Sequence, residues 1–248
     1  MAKATHGGAR KWLVAERPEY LPGVAMMARV LAADGLVVAD DLPVAVQSPV
    51  CRGAIKSREG RQWLSVPVLR RGRGSQSIRE VRIADDHDWR RRHWKALQVN
   101  YRPSPYFDYY ADFFADLYGR PWTFLIDLQM AVLGFALRAL GIERRVWRAT
   151  ELGVGEGDIG ERVRGYLAAT GSGGYVADAA LAVRGEGNLS LDETGELMYI
   201  FFKPVAYRQL FGGFVSGLTV FDVLFNYGPE SRHPLRRSLE VAGPFGER

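Results

Sequence analysis

Two aspartates and one histidine are the residues of this chain best suited to acid–base chemistry. Asp40 and Asp41 follow residues 36–39, a predicted buried strand, and catalytic or ligand-binding acids commonly lie at such strand ends. His93 shares one face of a predicted helix with Trp89, and an imidazole can act as a general base near neutral pH. We therefore expect Asp41 or His93 to be the base. The alternatives are a turn or helix cap at the aspartates and a buried structural histidine.

The loop at residues 17–22 (RPEYLP) is a second candidate site. Each of its two prolines fixes its own φ and disfavours helix at the preceding residue, so the loop is stiff and extended. It joins a predicted strand at 12–15 to a predicted helix at 24–33, where α/β folds commonly contact ligands. We expect it to lie at the mouth of a ligand site, and the alternative is a proline-braced turn.

Two glycine-rich segments could bind anions through backbone amides. Residues 170–174 (TGSGG) follow a predicted helix with small residues and free amides, which could hold a phosphate or a carboxylate. They lack the lysine and the spacing of a P-loop. Residues 153–157 (GVGEG) do not match a dinucleotide fingerprint, because no clean apolar strand precedes them. A plain loop is the alternative for both segments.

Positive charge is concentrated in residues 52–102. This segment has 14 Lys/Arg against 5 Asp/Glu, whereas the remainder of the chain has 19 Lys/Arg against 23 Asp/Glu. Such a segment suggests an anionic partner, such as a nucleotide, a phosphorylated carrier or RNA. A solvated basic face is the alternative, and the sequence has no recognisable RNA-binding signature.

Composition excludes several protein classes. The polar residues 1–11 lack the apolar core of a signal peptide, and no uncharged apolar run is long enough to span a bilayer. The single cysteine, Cys51, excludes an internal disulfide, and four scattered histidines argue against a zinc site. We expect a soluble, cytoplasmic protein without a metal. The sequence leaves the cofactor and the oligomeric state open.

The elements that would position these residues form an α/β fold. A strand, a helix and a second strand within the first forty residues make a βαβ unit, which implies a parallel sheet flanked by helices. The middle of the chain is predicted to be helical, at residues 88–101, 106–118 and 122–140, and a further strand is predicted at 78–83. We expect one domain over residues 12–230, a flexible N-terminus at 1–11 and a loose tail at 231–248.

These segments, in this order, resemble the WbqC-like protein family over roughly residues 12–230. The loop at 17–22 matches the family's Gln-Pro-x-Tyr-x-Pro motif except that Arg17 replaces the glutamine. Leu42-Pro43 and Cys51 are two further departures. The other matching segments are Asp40-Asp41, Arg52 and Lys56, WLSVPV at 63–68, His93-Trp94, Asn100-Tyr101, SGGY at 172–175, YRQ at 207–209 and residues 219–229.

The resemblance implies that the matched polar residues contact a substrate: Arg17, Tyr20, Asp40, Arg52, Lys56, Asn100, Tyr101, Ser172, Tyr175, Tyr207, Gln209, Asp222 and Asn226. It also implies a biosynthetic role in a surface-polysaccharide or natural-product pathway. We expect a transferase that moves an acyl or aminoacyl group from an anionic donor to an amino sugar or a related small acceptor.

Two alternatives to this transferase remain open. One is a non-catalytic α/β module that binds a nucleotide or a partner protein. The other is a tRNA-binding or aminoacyl-tRNA-using protein. The first βαβ unit is also faintly similar to the Rossmann-like fold of nucleotidylyltransferases and class I aminoacyl-tRNA synthetases, an analogy at the level of fold alone.

Overall fold

Strand β1 (Trp12–Glu16) lies in the middle of a six-stranded sheet. The computed structural model describes residues 10–45, 47–69, 75–84, 88–180, 189, 191 and 195–242. The other strands are β2 (Gly35–Val38), β3 (Arg52–Ser57), β4 (Gly60–Ser65), β5 (Arg145–Arg148), β6 (Gly174–Asp178), β7 (Glu196–Phe202) and β8 (Leu239–Ala242). Their order in the large sheet is β5-β2-β1-β6-β7-β8, while β3 and β4 form a separate antiparallel hairpin.

The large sheet is parallel except at one edge. β1 pairs with β2 on one side and with β6 on the other, and β5 and β7 extend the sheet outward in the same direction. The edge strand β8 pairs antiparallel, against β7. The strand order reverses between β1 and β6, and in open α/β sheets ligands bind beyond the carboxyl ends of the strands at such a switch point. The predicted fold class, a mainly parallel α/β sheet, is confirmed.

Eight helices, within the described ranges, cover the two faces of the sheet. They are α1 (Val24–Ala32), α2 (Trp89–Tyr101), α3 (Phe107–Gly119), α4 (Leu125–Ala139), α5 (Ala149–Leu152), α6 (Ile159–Thr170), α7 (Val220–Tyr227) and α8 (Arg232–Arg237). None of them is both long and apolar enough to cross a lipid bilayer. The helical middle section predicted from the sequence corresponds to α2, α3 and α4.

Successive side chains of each strand point to opposite faces of the sheet, and each face has its own apolar cluster. Val14 and Leu36 point into the larger apolar cluster, which includes residues of α1, α2, α3, α4 and α7. Their neighbours Leu13 and Val37 point into the smaller cluster on the other face, with Val163 and other residues of α6. Because both faces are covered, the central strands are apolar on both sides, as expected of a buried parallel sheet.

Two predicted segments differ from the structure. Residues 78–83 were expected to form a strand, but Ile78–Glu80 is a 3-10 turn closed by a capping box, in which Ser77 donates to Glu80 from its backbone N (3.0 Å) and its Oγ (2.7 Å). The tail from Ser231 was expected to be loose, yet it forms α8 and β8 up to residue 242. Leu235 is fully buried, so apolar contact anchors this tail to the core. Residues 1–9 and 243–248, which belong to the predicted flexible ends, lie outside the described residues.

Candidate functional site

A cavity of about 570 Å³ opens at the carboxyl ends of β1 and β6. We call it the switch-point cavity, because it lies where the strand order reverses. Its apolar wall includes Val50, Val163 and Val176, and Tyr166 and Tyr175 add aromatic surface. Its charged lining residues are Glu16, Arg17, Glu19, Arg29, Arg162 and Asp178. The cavity is therefore able to hold a molecule with an apolar part and a charged part.

Arg29 forms ion pairs with carboxylates at the carboxyl ends of β1 and β6. Its guanidinium donates to both carboxylate oxygens of Glu16, at 2.5 and 3.0 Å, and to Asp178 at 3.1 Å. Glu16 ends β1 and Asp178 ends β6, so one side chain from α1 ties the two strands together. Burial lowers the pKa of Arg29, but the two carboxylates outweigh burial and raise it above its usual value. One guanidinium thus pairs with two carboxylates in the wall of the cavity, which leaves the cluster with an excess of negative charge.

Glu19 is the titratable group of this cavity that is placed for proton transfer. Its Oε2 accepts a hydrogen bond of 2.6 Å from the backbone N of Gly23, just before α1. Burial, with a smaller contribution from nearby Glu16, raises the pKa of Glu19 to about 7, against the opposing effects of the Gly23 amide and Arg29. A carboxyl that titrates near neutral pH can both take and return a proton. Glu19 was not predicted from the sequence; it occupies one of the two variable positions of the RPEYLP loop.

The loop at 17–22 is fixed by hydrogen bonds to its backbone. The side-chain Nε2 of Gln129 donates to the carbonyl oxygens of Pro18 (3.0 Å) and Val50 (2.7 Å), and the Tyr20 amide donates to Pro49 (2.9 Å). Gln129 is fully buried, so these bonds are shielded from water. They hold the segments at 17–19 and 48–50 in place as two walls of the cavity. Arg17, the departure from the family motif, lines the cavity and is exposed.

Tyr20 and His93 do not line the switch-point cavity. The Tyr20 hydroxyl lies 2.8 Å from Nδ1 of His93 and 2.6 Å from the hydroxyl of Tyr118, and Trp89 packs edge-on against the imidazole. Burial, together with the charge of Arg92, lowers the pKa of His93 to about 4. His93 is therefore a neutral, buried histidine at neutral pH, and the geometry opposes the predicted role of general base.

The acidic pair after β2 is split between two environments. Asp40 is fully buried and accepts hydrogen bonds from Arg148 (2.7 Å) and from both the amide and the hydroxyl of Thr150 (3.2 and 2.9 Å). These bonds tie β2 to β5, so Asp40 has no exposed surface for a substrate. Asp41 accepts one bond of 2.6 Å from Arg162 and lines a second cavity. The preference for Asp41 over Asp40 as the reactive acid remains a prediction, which the geometry favours.

Several of the residues that match the family motifs form hydrogen bonds with Asp222. The carboxylate of Asp222, fully buried in α7, accepts hydrogen bonds from the hydroxyls of Tyr101 (2.9 Å) and Tyr207 (2.7 Å) and from the amide of Gln209 (3.0 Å). Burial raises the pKa of Asp222, and these hydrogen bonds oppose that rise. Asn226 donates to the backbone oxygen of Asp222 at 2.7 Å. We call this set the Asp222 network.

Lys56 extends the Asp222 network to the loop at 203–219. Its ammonium, almost fully buried, donates to Gln209 Oε1 (3.2 Å), to the carbonyl oxygen of Gly212 (2.7 Å) and to that of Gly213. All three ammonium hydrogens therefore have acceptors within the chain. The predicted residues Lys56, Tyr101, Tyr207, Gln209, Asp222 and Asn226 thus lie together, but they bind one another, and their role as substrate ligands stays a prediction.

The remaining predicted residues lie elsewhere. The guanidinium of Arg52 stacks on Trp63 at 4.2 Å, and Asn100 donates to Gln62 (3.0 Å) and to a backbone carbonyl of its own helix. Ser172 lies before β6, at the amino edge of the sheet, opposite the switch-point cavity. Tyr175 does line that cavity.

The prediction that residues 170–174 offer free amides is wrong. The amides of Gly173 and Gly174 both donate to the carbonyl oxygen of Lys11, and the Ser172 amide donates to Leu167. Gly171, at φ 66°, ends α6 in the left-handed conformation, and Gly174 starts β6. The segment is a helix terminus followed directly by a strand, so its amides serve the fold. Among the described residues, no three His, Cys, Asp or Glu side chains are grouped so as to hold a metal ion.

Comparison with known proteins gives the family. The WbqC-like protein family model matches residues 17–234, which include the loop at 17–22, the acidic pair and the whole Asp222 network. The chain belongs to the WbqC-like family. The uncharacterized protein Rv1507c of Mycobacterium tuberculosis is 29% identical to it over 221 residues, 88% of this chain and 94% of that protein. No solved structure matches this WbqC-like chain.

Proposed function

We propose that this WbqC-like protein is a biosynthetic transferase that moves an acyl or aminoacyl group to the amine of a small acceptor in the switch-point cavity. The observation that carries the proposal is Glu19, a carboxyl with a pKa of about 7 in the lining of a cavity at the switch point of a parallel sheet. Acyl transfer to an amine needs a base for the nitrogen's proton, and a base that titrates near the working pH is the most effective one.

The chemistry assigned to Glu19 is proton transfer. The neutral amine nitrogen of the acceptor attacks the carbonyl carbon of the donor, and a C–N bond forms as the bond from that carbon to the leaving group breaks. The Glu19 carboxylate takes the proton that the nitrogen loses and returns it to the leaving group. Because Arg29 is bound to Glu16 and Asp178, the base lies beside a fixed cluster of ion pairs.

The cavity suits an acyl donor that carries a negative charge. The apolar side chains Val50, Val163 and Val176 would contact the acyl part, and the exposed guanidinium of Arg17 would pair with the anionic part. The family motif has glutamine at position 17. Arg17 would therefore favour a more anionic donor here. An amino sugar or a related molecule remains the proposed acceptor.

The proposal is tested by an acyl-transfer assay on the purified protein. Acetyl coenzyme A and mixed aminoacyl-tRNA serve as donors and D-glucosamine as acceptor, and mass spectrometry detects the amide product. We expect Glu19→Gln to lower turnover by about 100-fold, the effect of losing a positioned base. The control, Glu143→Gln, removes an exposed carboxylate beyond the other edge of the sheet and should change nothing. Full turnover in Glu19→Gln would exclude Glu19 as the base.

A non-catalytic binding module is the second candidate. The observation that favours it is the closure of the Asp222 network and of the Arg29 cluster, whose polar groups bind one another and leave few free for a reaction. In that case acetyl coenzyme A or aminoacyl-tRNA should stabilise the protein against heat without any amide product. Steeply salt-dependent retention on tRNA alone would instead favour the tRNA-binding alternative.

A further inference from the structure

The hairpin of β3 and β4 has one face on the core and one face directed outward. Ile55 and Leu64 are buried in the larger apolar cluster. The register pairs Arg52 with the last residue of β4, so Arg52, Arg61 and Trp63 share the opposite, outer face. The activity proposed above for the switch-point cavity makes no use of this face.

Trp63 lies on the outer face between two guanidiniums. Its side chain is 43% exposed, and the Cζ atoms of Arg52 and Arg61 lie 4.2 and 5.7 Å from the centroid of its ring. Cations are attracted to the π electrons of an indole, so the ring is held in place without being buried. The buried Nε of Arg52 has no hydrogen-bond partner among the described residues. An acceptor oxygen from a bound molecule would stabilise this guanidinium, because an unpaired charged donor is costly.

The loop at 203–219 packs against the hairpin in a fixed shape. Three consecutive residues, 211–213, have φ of 63°, 66° and 59°, and the carbonyl oxygens of the last two accept hydrogen bonds from Lys56. The side chain of Gln209 exchanges two hydrogen bonds, of 2.8 and 3.0 Å, with the backbone of Val215. A side chain rarely adopts positive φ, so the backbone at Phe211 is strained, and such strain persists only where the surroundings enforce it.

This loop adds two aromatic rings beside the arginines of the hairpin. The Cζ of Arg58 lies 5.7 Å from the ring centroid of Phe211, and Arg61 donates to the carbonyl oxygen of Ser216 at 2.5 Å. Phe214 is 38% exposed. Hairpin and loop therefore form one continuous surface of guanidiniums and rings. We call it the basic aromatic surface, and it consists of Arg52, Arg58, Arg61, Trp63, Phe211 and Phe214.

The charge of this surface is almost entirely positive. Residues 52–65 include four Lys/Arg and one acidic residue, Glu59, and residues 203–219 include two Lys/Arg and no acidic residue. Lys56 is buried in the Asp222 network, so the arginines supply the outward charge. Within the part of the chain that the structure describes, these three arginines form no ion pair with a carboxylate, in contrast to Arg29. A polyanion is therefore the complementary partner.

We propose that the basic aromatic surface binds single-stranded RNA, with phosphates on its arginines and unpaired bases on Trp63 and Phe214. Stacking of bases on aromatic rings, combined with positive charge along the backbone, is how proteins bind single strands. A base-paired stem offers no free base faces, and a phospholipid headgroup has none, so neither would use the rings.

The choice of RNA over DNA rests on the proposed function, because an aminoacyl donor is carried on the single-stranded 3′ end of a tRNA. Val50 lines the switch-point cavity and Arg52 follows two residues later, so their Cα atoms are at most about 7 Å apart. One end of the basic aromatic surface is therefore near a wall of the cavity in which transfer is proposed.

Fluorescence anisotropy of the full chain with a labelled single-stranded RNA of mixed sequence, about 12 nucleotides long, tests the proposal. We expect a dissociation constant below about 10 µM at about 50 mM salt. Trp63→Ala should weaken binding by about 10-fold, the loss of one stacked base, while Trp63→Phe should stay within about 3-fold because a phenyl ring still stacks. The control Tyr109→Ala removes a more exposed ring on α3 and should change the affinity by less than about 2-fold.

The arginines are tested by the dependence of affinity on salt. In Arg52→Gln/Arg61→Gln, the slope of log affinity against log salt should be shallower by about 1.4, since each phosphate contact to a single strand contributes about 0.7. The matched control is Arg120→Gln/Arg145→Gln. It removes the same charge from two arginines that also contact tryptophan rings, at 4.4 and 5.0 Å, but lie outside the hairpin and the loop. Its slope should equal that of the wild type.

Several results would overturn the proposal. They are the absence of RNA binding up to about 100 µM protein, full affinity in Trp63→Ala, and equal changes of slope in the two double variants. Heparin and phosphatidylglycerol vesicles carry negative charge without bases, and binding of either as tight as that of RNA would exclude base stacking. Duplex RNA should bind about 10-fold more weakly than the single strand. Single-stranded DNA should bind no more tightly than RNA, and tighter binding would refute the choice of RNA.

This binding is measured without turnover, which separates the inference from the proposed function. If both are correct, Glu19→Gln loses transfer and binds RNA like the wild type, because Glu19 lines the switch-point cavity. Full turnover in Glu19→Gln, with RNA binding that depends on Trp63, would refute the proposed base and leave the RNA surface standing. Transfer from acetyl coenzyme A that depends on Glu19, in a protein that does not bind RNA, would refute the inference alone.

Discussion

Replacing Glu19 with glutamine should stabilise this protein at alkaline pH, even though it removes the proposed base. Glutamine has nearly the same shape, and its Oε1 can still accept the hydrogen bond from the Gly23 amide. What the substitution removes is the ionisable carboxyl. Burial raises the pKa of that carboxyl from 4.5 to about 7, which means that folding disfavours the ionised form.

The size of the effect follows from the two pKa values. Glu19 titrates at about 7 in the folded state and near 4.5 in the unfolded state, so its favourable contribution is full below about 4.5 and is lost as the pH rises through 7. The difference between the two pKa values corresponds to about 3 kcal/mol. Of this, about 2.5 kcal/mol falls between about pH 5 and about pH 8. The variant has no carboxyl at this position, so its stability should lack this dependence on pH.

Urea unfolding of the wild type and Glu19→Gln at about pH 5 and about pH 8 measures this difference. The free energy of unfolding of the variant relative to the wild type should rise by about 2 to 3 kcal/mol between the two pH values. Glu143→Gln, the exposed control, should show a change of less than about 0.5 kcal/mol. A relative stability of Glu19→Gln that does not vary with pH would refute both the raised pKa and the use of Glu19 as a base near neutral pH.

Substitutions at three positions test the hydrogen-bond and ion-pair clusters, each by urea unfolding. Tyr20→Phe should cost about 1–3 kcal/mol, because a buried imidazole and a buried phenol lose their shared partner; a loss below about 0.5 kcal/mol would contradict the observed network. Asp222→Ala should cost about 3 kcal/mol or more, because the hydroxyls of Tyr101 and Tyr207 lose their shared acceptor, and Asp222→Asn should cost clearly less. Arg29→Met should cost about 3–5 kcal/mol, since two carboxylates lose their counter-charge. It should also raise the pKa of Glu19, measured by carboxyl ¹³C NMR, and an unchanged pKa would show that the two groups are not coupled.

The sequence is sufficient to predict the parallel core of the fold. An apolar strand, a helix and a second apolar strand within the first forty residues imply the β1–α1–β2 unit, and the long apolar periodicity at 122–140 predicts α4. Strand β6 is not predicted because Gly173 and Gly174 suggest a loop, although Gly174 is the first residue of that strand. Glycine is needed there because it packs against the indole of Trp12, and a larger side chain would clash with that ring. Strand β8 is missed because a polar tail carries no signal for pairing with β7, which lies far from it along the chain.

The site is harder to predict than the fold, since its chemistry depends on burial and on contacts across the chain. Residue type made His93 one of two candidate bases, together with Asp41, yet His93 is buried in contact with Tyr20 and Trp89. The pattern of family residues named the side chains that surround Asp222, but as predicted ligands of a substrate. It could not distinguish ligands of a substrate from partners of one another, because both roles select the same polar residues. Glu19 is a common surface residue type, and only its burial beside Glu16 gives it an unusual pKa.

The two prolines of the loop at 17–22 help to keep the carboxyl of Glu19 buried. A carboxyl that is unstable in its ionised form would move toward water if its backbone were free to do so, and its pKa would then return toward 4.5. The prolines restrict that movement from within the loop, and Gln129 and Pro49 restrict it from outside through hydrogen bonds to Pro18 and Tyr20. The rigid loop therefore maintains the raised pKa of Glu19. The buried carboxyl lowers the stability of the protein at alkaline pH, and in return it can transfer a proton near neutral pH.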